Sequence, residues 1–200
     1  MTGIQALERA HPTIPMKPGK PERPEFEYRR HGTQTLIANF EVATGRVINP
    51  TVGQTRTEQD FADHIRRTIA TDPLAQWIFV MDQLNTHKSE ALVRLVAQEC
   101  DLTDDLGVKG KSGVLQSLSS REDFLTCASH RIRFVYTPKH ASWLNQVEIW
   151  FSILVRKLLR RGNFTSKENL RQRILDFIDY FNRTMAKPFK WTYKGRPLVC

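Results

Sequence analysis

Residues 77–88 read WIFVMDQLNTHK, and the reading of this stretch decides the fold. Trp77, Ile78, Phe79, Val80 and Met81 form a short, unbroken apolar run, the pattern of a strand buried on both faces. The run stops at Asp82. Residues 88–99 (KSEALVRLVAQE) then place Ala91, Leu92, Leu95 and Val96 on one side of an amphipathic helix. A buried strand passing into such a helix is the repeating unit of an α/β layer domain.

Upstream, residues 57–71 (TEQDFADHIRRTIAT) predict a helix. Thr57 is its cap, acidic residues fill its first turn, and Phe61, Ile65 and Ile69 form its inner stripe. Residues 33–42 (TQTLIANFEV) read as a strand and residues 46–48 as its short partner, with Ala43-Thr44-Gly45 as a tight link. The opening residues read as irregular. Prolines at 12, 15, 18, 21 and 24 exclude a helix or a central strand there and leave an extended loop.

Downstream, residues 101–130 mix glycines, serines and the pair Asp104-Asp105, and read as an insertion with one short helix. Residues 131–136 (RIRFVY) alternate as a strand does. Residues 142–161 give the strongest helical pattern, with Leu144, Val147, Phe151, Leu154 and Leu158 on one face and Gly162 at the end. A last helix is expected over residues 166–182, followed by a basic, aromatic tail from about 187 to 200. There is no internal repeat. The whole chain of 200 residues reads as a single domain.

Composition narrows the functional classes. Hydrophobic residues are 40% and charged residues 26%, ordinary globular usage that excludes a disordered or collagenous chain. No apolar run approaches the roughly 20 residues that span a bilayer, and the first residues lack a signal-peptide pattern, so no membrane role is expected. Cys100, Cys127 and Cys200 are odd in number and widely spaced, which fits a reducing compartment, a cytoplasmic one, and no zinc motif. The net charge of +9 is unevenly spread. Residues 1–138 hold 17 basic and 17 acidic side chains, whereas residues 139–200 hold 13 and 4. A concentrated basic segment is the footprint of a polyphosphate partner, or otherwise simply a solvated surface.

Two carboxylates stand out. Asp82 closes the buried strand, where ligands of open α/β sheets bind; alternatively it caps the next helix, although Asn85 or Thr86 is better placed for that. Glu148 lies among Val147, Ile149, Trp150 and Phe151, either as a boundary residue facing water or as a carboxylate aimed at a hard cation shared with Asp82. His87 and His140 flank these acids in sequence and could contact phosphate or be plain surface histidines. Asn145 is one helical turn before Glu148. Arg156, Lys157, Arg160 and Arg161 follow it and suit either DNA phosphates or the carbonyl end of a helix.

The segments YTPKHASWLNQVEIWF (136–151) and FVMDQLNTHK (79–88) resemble the catalytic core of DDE-superfamily transposases, in the bacterial insertion-sequence branch related to mariner elements. IQALERAHPTIPMKPG (4–19) and RRHGTQTLIANFEVATGRVI (29–48) are similar to further blocks of that family, in the same order. The resemblance implies a ribonuclease-H-like fold, a mixed sheet flanked by helices, that cuts and joins DNA with two Mg²⁺ or Mn²⁺ ions held by three carboxylates. It makes Asp82 the second acid and Glu148 the third. It places Asn145 at the site; with DNA as the partner, His140 and Lys139 are expected contacts, as are Arg156, Lys157, Arg160 and Arg161 on the ground of the concentrated basic charge. DNA is the implied partner, a homodimer a possible assembly, and the nucleoid the implied location.

The chain departs from the pattern in two ways. The family's first aspartate precedes the IQALER block, so here it would fall before Met1. The first strand is then lacking or shortened, and the chain alone is expected to be impaired or inactive, or to persist as a non-catalytic DNA-binding remnant. Glu8 and Glu41 are the candidates for a replacement acid. In addition, Asp82 and Glu148 lie 66 positions apart, roughly twice the family's usual separation, and the excess matches the insertion at 101–130.

Overall fold

The computed structural model describes residues 1–190 other than 13, 24, 26, 104 and 140, and residue 142 by its backbone alone. Among the described residues, five strands form two separate sheets. Strands β1 (Ile4–Arg9), β2 (Tyr28–Glu41) and β3 (Arg46–Gly53) make an antiparallel sheet in that order, and β4 (Trp77–Met81) pairs in parallel with β5 (Ile132–Tyr136). Sheets flanked by helices are the α/β arrangement that the strand–helix alternation predicts. No helix among the described residues is long and apolar enough to cross a membrane.

The first departure from the sequence reading is β1. IQALER is a strand, not irregular chain, and it pairs with β2 from Ile4↔Gln34 to Arg9↔Tyr28. It is too short and too polar at its end to show a clear period. The proline-rich residues continue the hairpin outward as an arm, tied by paired bonds between Ile14 and Arg23 and between Lys17 and Lys20. The turn at Ala43-Thr44-Gly45 is present, with Gly45 at φ 71°. β3 runs beyond its expected three residues because a bulge at Asn49, φ 44°, lets the ladder resume past Pro50.

Helix α1 (Glu58–Ile69) begins with a capping box between Thr57 and Asp60, and buries Phe61, Ile65 and Ile69 as expected. It bridges the two sheets. The Thr68 hydroxyl accepts from Asn39 and Asn49 of the first sheet, and Thr51 meets the buried His64 at 2.8 Å. Helix α2 (Glu90–Glu99) is capped by Ser89, whose Oγ accepts the Leu92 N–H, and not by Asn85 or Thr86, which lie in a 3-10 turn (Asn85–Lys88) before it.

The expected short helix of the 101–130 region is α3 (Leu118–Thr126). The region also supplies core: Leu115 and Leu125 are fully buried with α1, α2 and one face of β4–β5. Arg121, buried, donates to the backbone of Lys88 and Leu115. The nearly buried Lys88 reaches back to Glu122 at 2.6 Å, and its ammonium lies over the Tyr136 ring.

The helix expected over 142–161 is broken into three pieces. A 3-10 turn (Ser142–Leu144) precedes α4 (Val147–Leu154), which opens into a π-helical turn (Val155–Leu159) closed by the Arg160 N–H on the Val155 carbonyl. Helix α5 (Lys167–Thr184) follows, capped by Ser166. Helices α4 and α5 cover the antiparallel sheet with Trp150, Leu154, Leu170, Ile174, Ile178 and Phe181. Trp150 is fully buried in this layer, whereas Trp143 is half exposed.

Candidate active site

The end of β4 and the start of α4 meet at one cavity. Asp82 follows the last residue of β4, where a parallel strand delivers its C-terminal residue to the sheet edge. Glu148 stands in the first turn of α4, where the helix dipole favours an acid. Both line a cavity of about 660 Å³ that also takes in Met1, Arg56, His87 and Asn145. The two acids come from elements separated by the whole 101–130 region, and its packing into the core leaves the cavity open.

Asp82 is the better organised of the two. His87 Nδ1 lies 2.8 Å from its Oδ1, and the Leu84 N–H donates to the same oxygen at 3.2 Å. The hydrogen bond from His87 holds the carboxyl below its ordinary value, the Leu84 N–H and the charge of Arg56 act the same way, and partial burial opposes them. His87 is itself fixed, its ring 4.6 Å from Phe61 of α1. It therefore acts on Asp82, and its place in the sequence flanking the acid corresponds to a direct contact.

The Met1 nitrogen donates to the Leu36 carbonyl at 2.8 Å beside these groups. Burial lowers the Met1 ammonium below its ordinary value; Glu148 and Asp82 pull it upward and Arg56 downward, so all three charges are felt at one point.

Asn145 is not on the face of a helix with Glu148. It precedes α4, its Oδ1 accepts the Val147 N–H, and its Nδ2 donates to the Val80 carbonyl at 3.2 Å. It thus joins the acid-bearing strand to the acid-bearing helix. That bridge was not legible as sequence spacing, because it depends on where α4 begins. Lys139, Arg156, Lys157, Arg160 and Arg161 are all exposed. His140 lies outside the described residues, as do Trp191, Tyr193, Lys194 and Arg196 of the basic tail.

Neither replacement acid joins Asp82 and Glu148. Glu8 binds His31 at 2.8 Å on the β1–β2 ladder. Glu41 lines the same cavity, but at the hairpin end, where its carboxylate accepts from Thr44. That is about 17 Å along β2 from Leu36, at about 3.4 Å per residue. Among the described residues no group of three or more His, Cys, Asp or Glu side chains could hold a metal ion. Asp82 and Glu148 are hard oxygen donors of the right chemistry for Mg²⁺ or Mn²⁺, yet two carboxylates are an incomplete set for two such ions.

Comparison with curated proteins and with solved structures finds no match to the chain. A family model does match, the DDE superfamily endonuclease, over residues 2–171, from the strand before the proline arm to the first turns of α5 and so through both Asp82 and Glu148. With its acids on a strand end and a helix start across one cavity of an α/β fold, the chain belongs to the DDE superfamily endonucleases.

Proposed function

We propose that this chain is the catalytic domain of a DNA transposase of the insertion-sequence type, with Asp82 and Glu148 as two of its three metal-holding acids. Enzymes of this family act on DNA and use divalent metals. The observation that carries the reading is the convergence of Asp82 and Glu148 on one cavity from elements 66 positions apart. A hard cation such as Mg²⁺ would there supply charge for in-line displacement at a phosphodiester. The chain's own residues do the preparatory work. His87 and the Leu84 N–H keep Asp82 ionised and oriented, Asn145 fixes α4 against β4, and Arg56 offsets the local negative charge. Asp82 and Glu148 alone are an incomplete set for two such ions, so cleavage by the residues gathered here is expected to be weak or absent.

The exposed cations Arg156, Lys157, Arg160 and Arg161 extend from α4 and its π turn and are assigned to DNA phosphates, as is the exposed Lys139. Their distribution also favours a second reading, a DNA-binding remnant without catalysis.

Plasmid nicking in Mg²⁺ and Mn²⁺ tests the first reading, using the chain as it stands and the chain preceded by an aspartate-bearing strand. Cleavage that appears only with the extension, and vanishes in Asp82→Asn and Glu148→Gln, is expected. Cleavage indifferent to both substitutions refutes the assignment. Salt-dependent binding with no cleavage from either form supports the remnant.

A further inference from the structure

None of Arg156, Lys157, Arg160 and Arg161 lines the cavity that holds Asp82 and Glu148. Among the described residues, the one Lys or Arg that does so is Arg56. No motif marks it in the sequence; the fold carries it to the acids. Strand β3 ends at Gly53, and Arg56 is the last residue before Thr57, the cap of α1. One helical turn past that cap stands Phe61, whose ring lies 4.6 Å from the ring of His87. His87 in turn touches the Asp82 carboxylate at 2.8 Å. The start of α1 is thus pinned beside Asp82. Helix α1 packs with Ile37, and α4 with Leu36 and Ala38, alternate residues of β2, so the two helices stand on opposite faces of the sheet. Arg56 enters the cavity from the α1 side and Glu148 from the α4 side, with Asp82 at the strand end between them.

We propose that Arg56 grips a non-bridging oxygen of the DNA phosphodiester presented to Asp82 and Glu148. The inference rests on the reading of this cavity as a site of phosphodiester chemistry. The state of the guanidinium supports it. Arg56 is exposed, and among the described residues it forms no ion pair and no side-chain hydrogen bond. By contrast, Arg66, Arg94 and Arg183 are each paired with a carboxylate one turn away, and Arg67, Arg121 and Arg131 donate to backbone carbonyls. The charge of Arg56 nonetheless reaches Asp82 and helps to hold its carboxyl down. A guanidinium that lies in the field of an acid without touching it keeps its N–H donors for an anion placed beside both.

The chemistry calls for such a group. Two carboxylates repel a phosphodiester, whose oxygens carry a negative charge and gain more as a further oxygen approaches phosphorus. A guanidinium stays charged at every working pH and meets two oxygens with a planar fork. Entering from the α1 side, it holds the phosphate against the face opposite Glu148. If Arg56 did no more than offset the acids, any positive charge would serve, and lysine would replace arginine without loss.

The test uses the full chain in EDTA, so that the grip is read without cleavage. The probe is the dinucleotide dTpdT, a single phosphodiester, against the same dinucleotide with a neutral methylphosphonate link. Binding is followed by NMR at the Arg56 Nε–H, assigned by its disappearance in Arg56→Gln. That signal is expected to move with dTpdT and to stay in place with the methylphosphonate. Arg56→Gln is expected to weaken dTpdT binding about tenfold, the loss of one charge-assisted pair, and Arg56→Lys to recover about threefold of that at most. The urea midpoint of each variant should match the parent, since no contact of the fold is lost. An unmoved Arg56 signal overturns the inference, as does Arg56→Lys binding as tightly as the parent. Cleavage indifferent to Asp82→Asn and Glu148→Gln, with Arg56 still answering dTpdT alone, removes the catalytic reading and keeps the grip. Acid-dependent cleavage with a silent Arg56 keeps the catalytic reading and removes the grip.

Discussion

Glu122→Gln should cost this domain about 2 kcal/mol, and the figure follows from what the substitution leaves behind. Lys88 is nearly buried, its side chain 9% exposed, and its ammonium touches Glu122 at 2.6 Å, Gln83 Oε1 and the face of the Tyr136 ring. Stripping the partner from a buried charge costs about 3–5 kcal/mol. Glu122 is 35% exposed, however, and Gln83 and the ring remain, so the lower part of that range is further reduced. The double variant Lys88→Met, Glu122→Leu removes both charges and should fall within about 1 kcal/mol of the parent. In urea, with a slope of about 2 kcal/mol per molar, the single variant moves the midpoint by about 1 M and the double variant by less than half of that. A single variant that shifts the midpoint by less than about 0.2 M, or a double variant as unstable as the two single ones summed, would refute the reasoning that α3 is fastened to the Asp82 loop through this pair.

Leu115→Ala, deep in the core though it belongs to the 101–130 region, should destabilise by about 3 kcal/mol in the same urea assay; a cost below about 1 would make that region an appendage. His64 is buried and held down to about 4 from an ordinary 6.5, so as pH falls the unfolded chain takes up its proton first. Stability is therefore full above about 6.5 and declines by about 3 kcal/mol on the way to about 4, and His64→Leu should flatten that slope. His87→Ala removes the main group depressing Asp82, so its carboxyl carbon should titrate at higher pH by NMR. The stability that this depressed group contributes is present above its unfolded value and lost as pH falls from there through its folded value, so in the variant the contribution and its acid loss are both smaller. At Gly45 (φ 71°) a Cβ would meet the Lys187 carbonyl oxygen at 1.9 Å, so Gly45→Ala should cost about 2 kcal/mol by forcing the hairpin from the end of α5; a neutral result would mean the two part freely.

Where one strong local signal governs an element, the chain is legible. β4 spans its five apolar residues end to end, although it is covered on one face only and Ile78 and Val80 stay about half exposed, and α1 starts at its capping threonine, since an apolar run and a cap are written in adjacent residues. β1 is not, because six residues, three of them polar, owe their conformation to the ladder with β2. The cap of α2 shifted from Asn85 or Thr86 to Ser89 because a 3-10 turn intervenes, and nothing in Asn-Thr-His-Lys-Ser separates these alternatives locally. At the site, Asp82 and Glu148 could be named from a resemblance and from their places on a strand end and a helix. The His87–Asp82 contact and the Asn145 bridge to Val80 depend on tertiary placement and carry no signature of their own.

The widened turn at Val155–Leu159 has its own effect on the cationic surface. A π turn spends more residues per revolution than an α turn, so everything beyond it lags in phase by about a quarter revolution. The azimuth of Arg160 and Arg161 relative to Glu148 is thus dictated by that local underwinding and not by their count along the chain. Excising a single residue there would restore regular winding and leave both guanidinium groups near their present azimuth, whereas regular α winding at full length would swing them by about a quarter revolution.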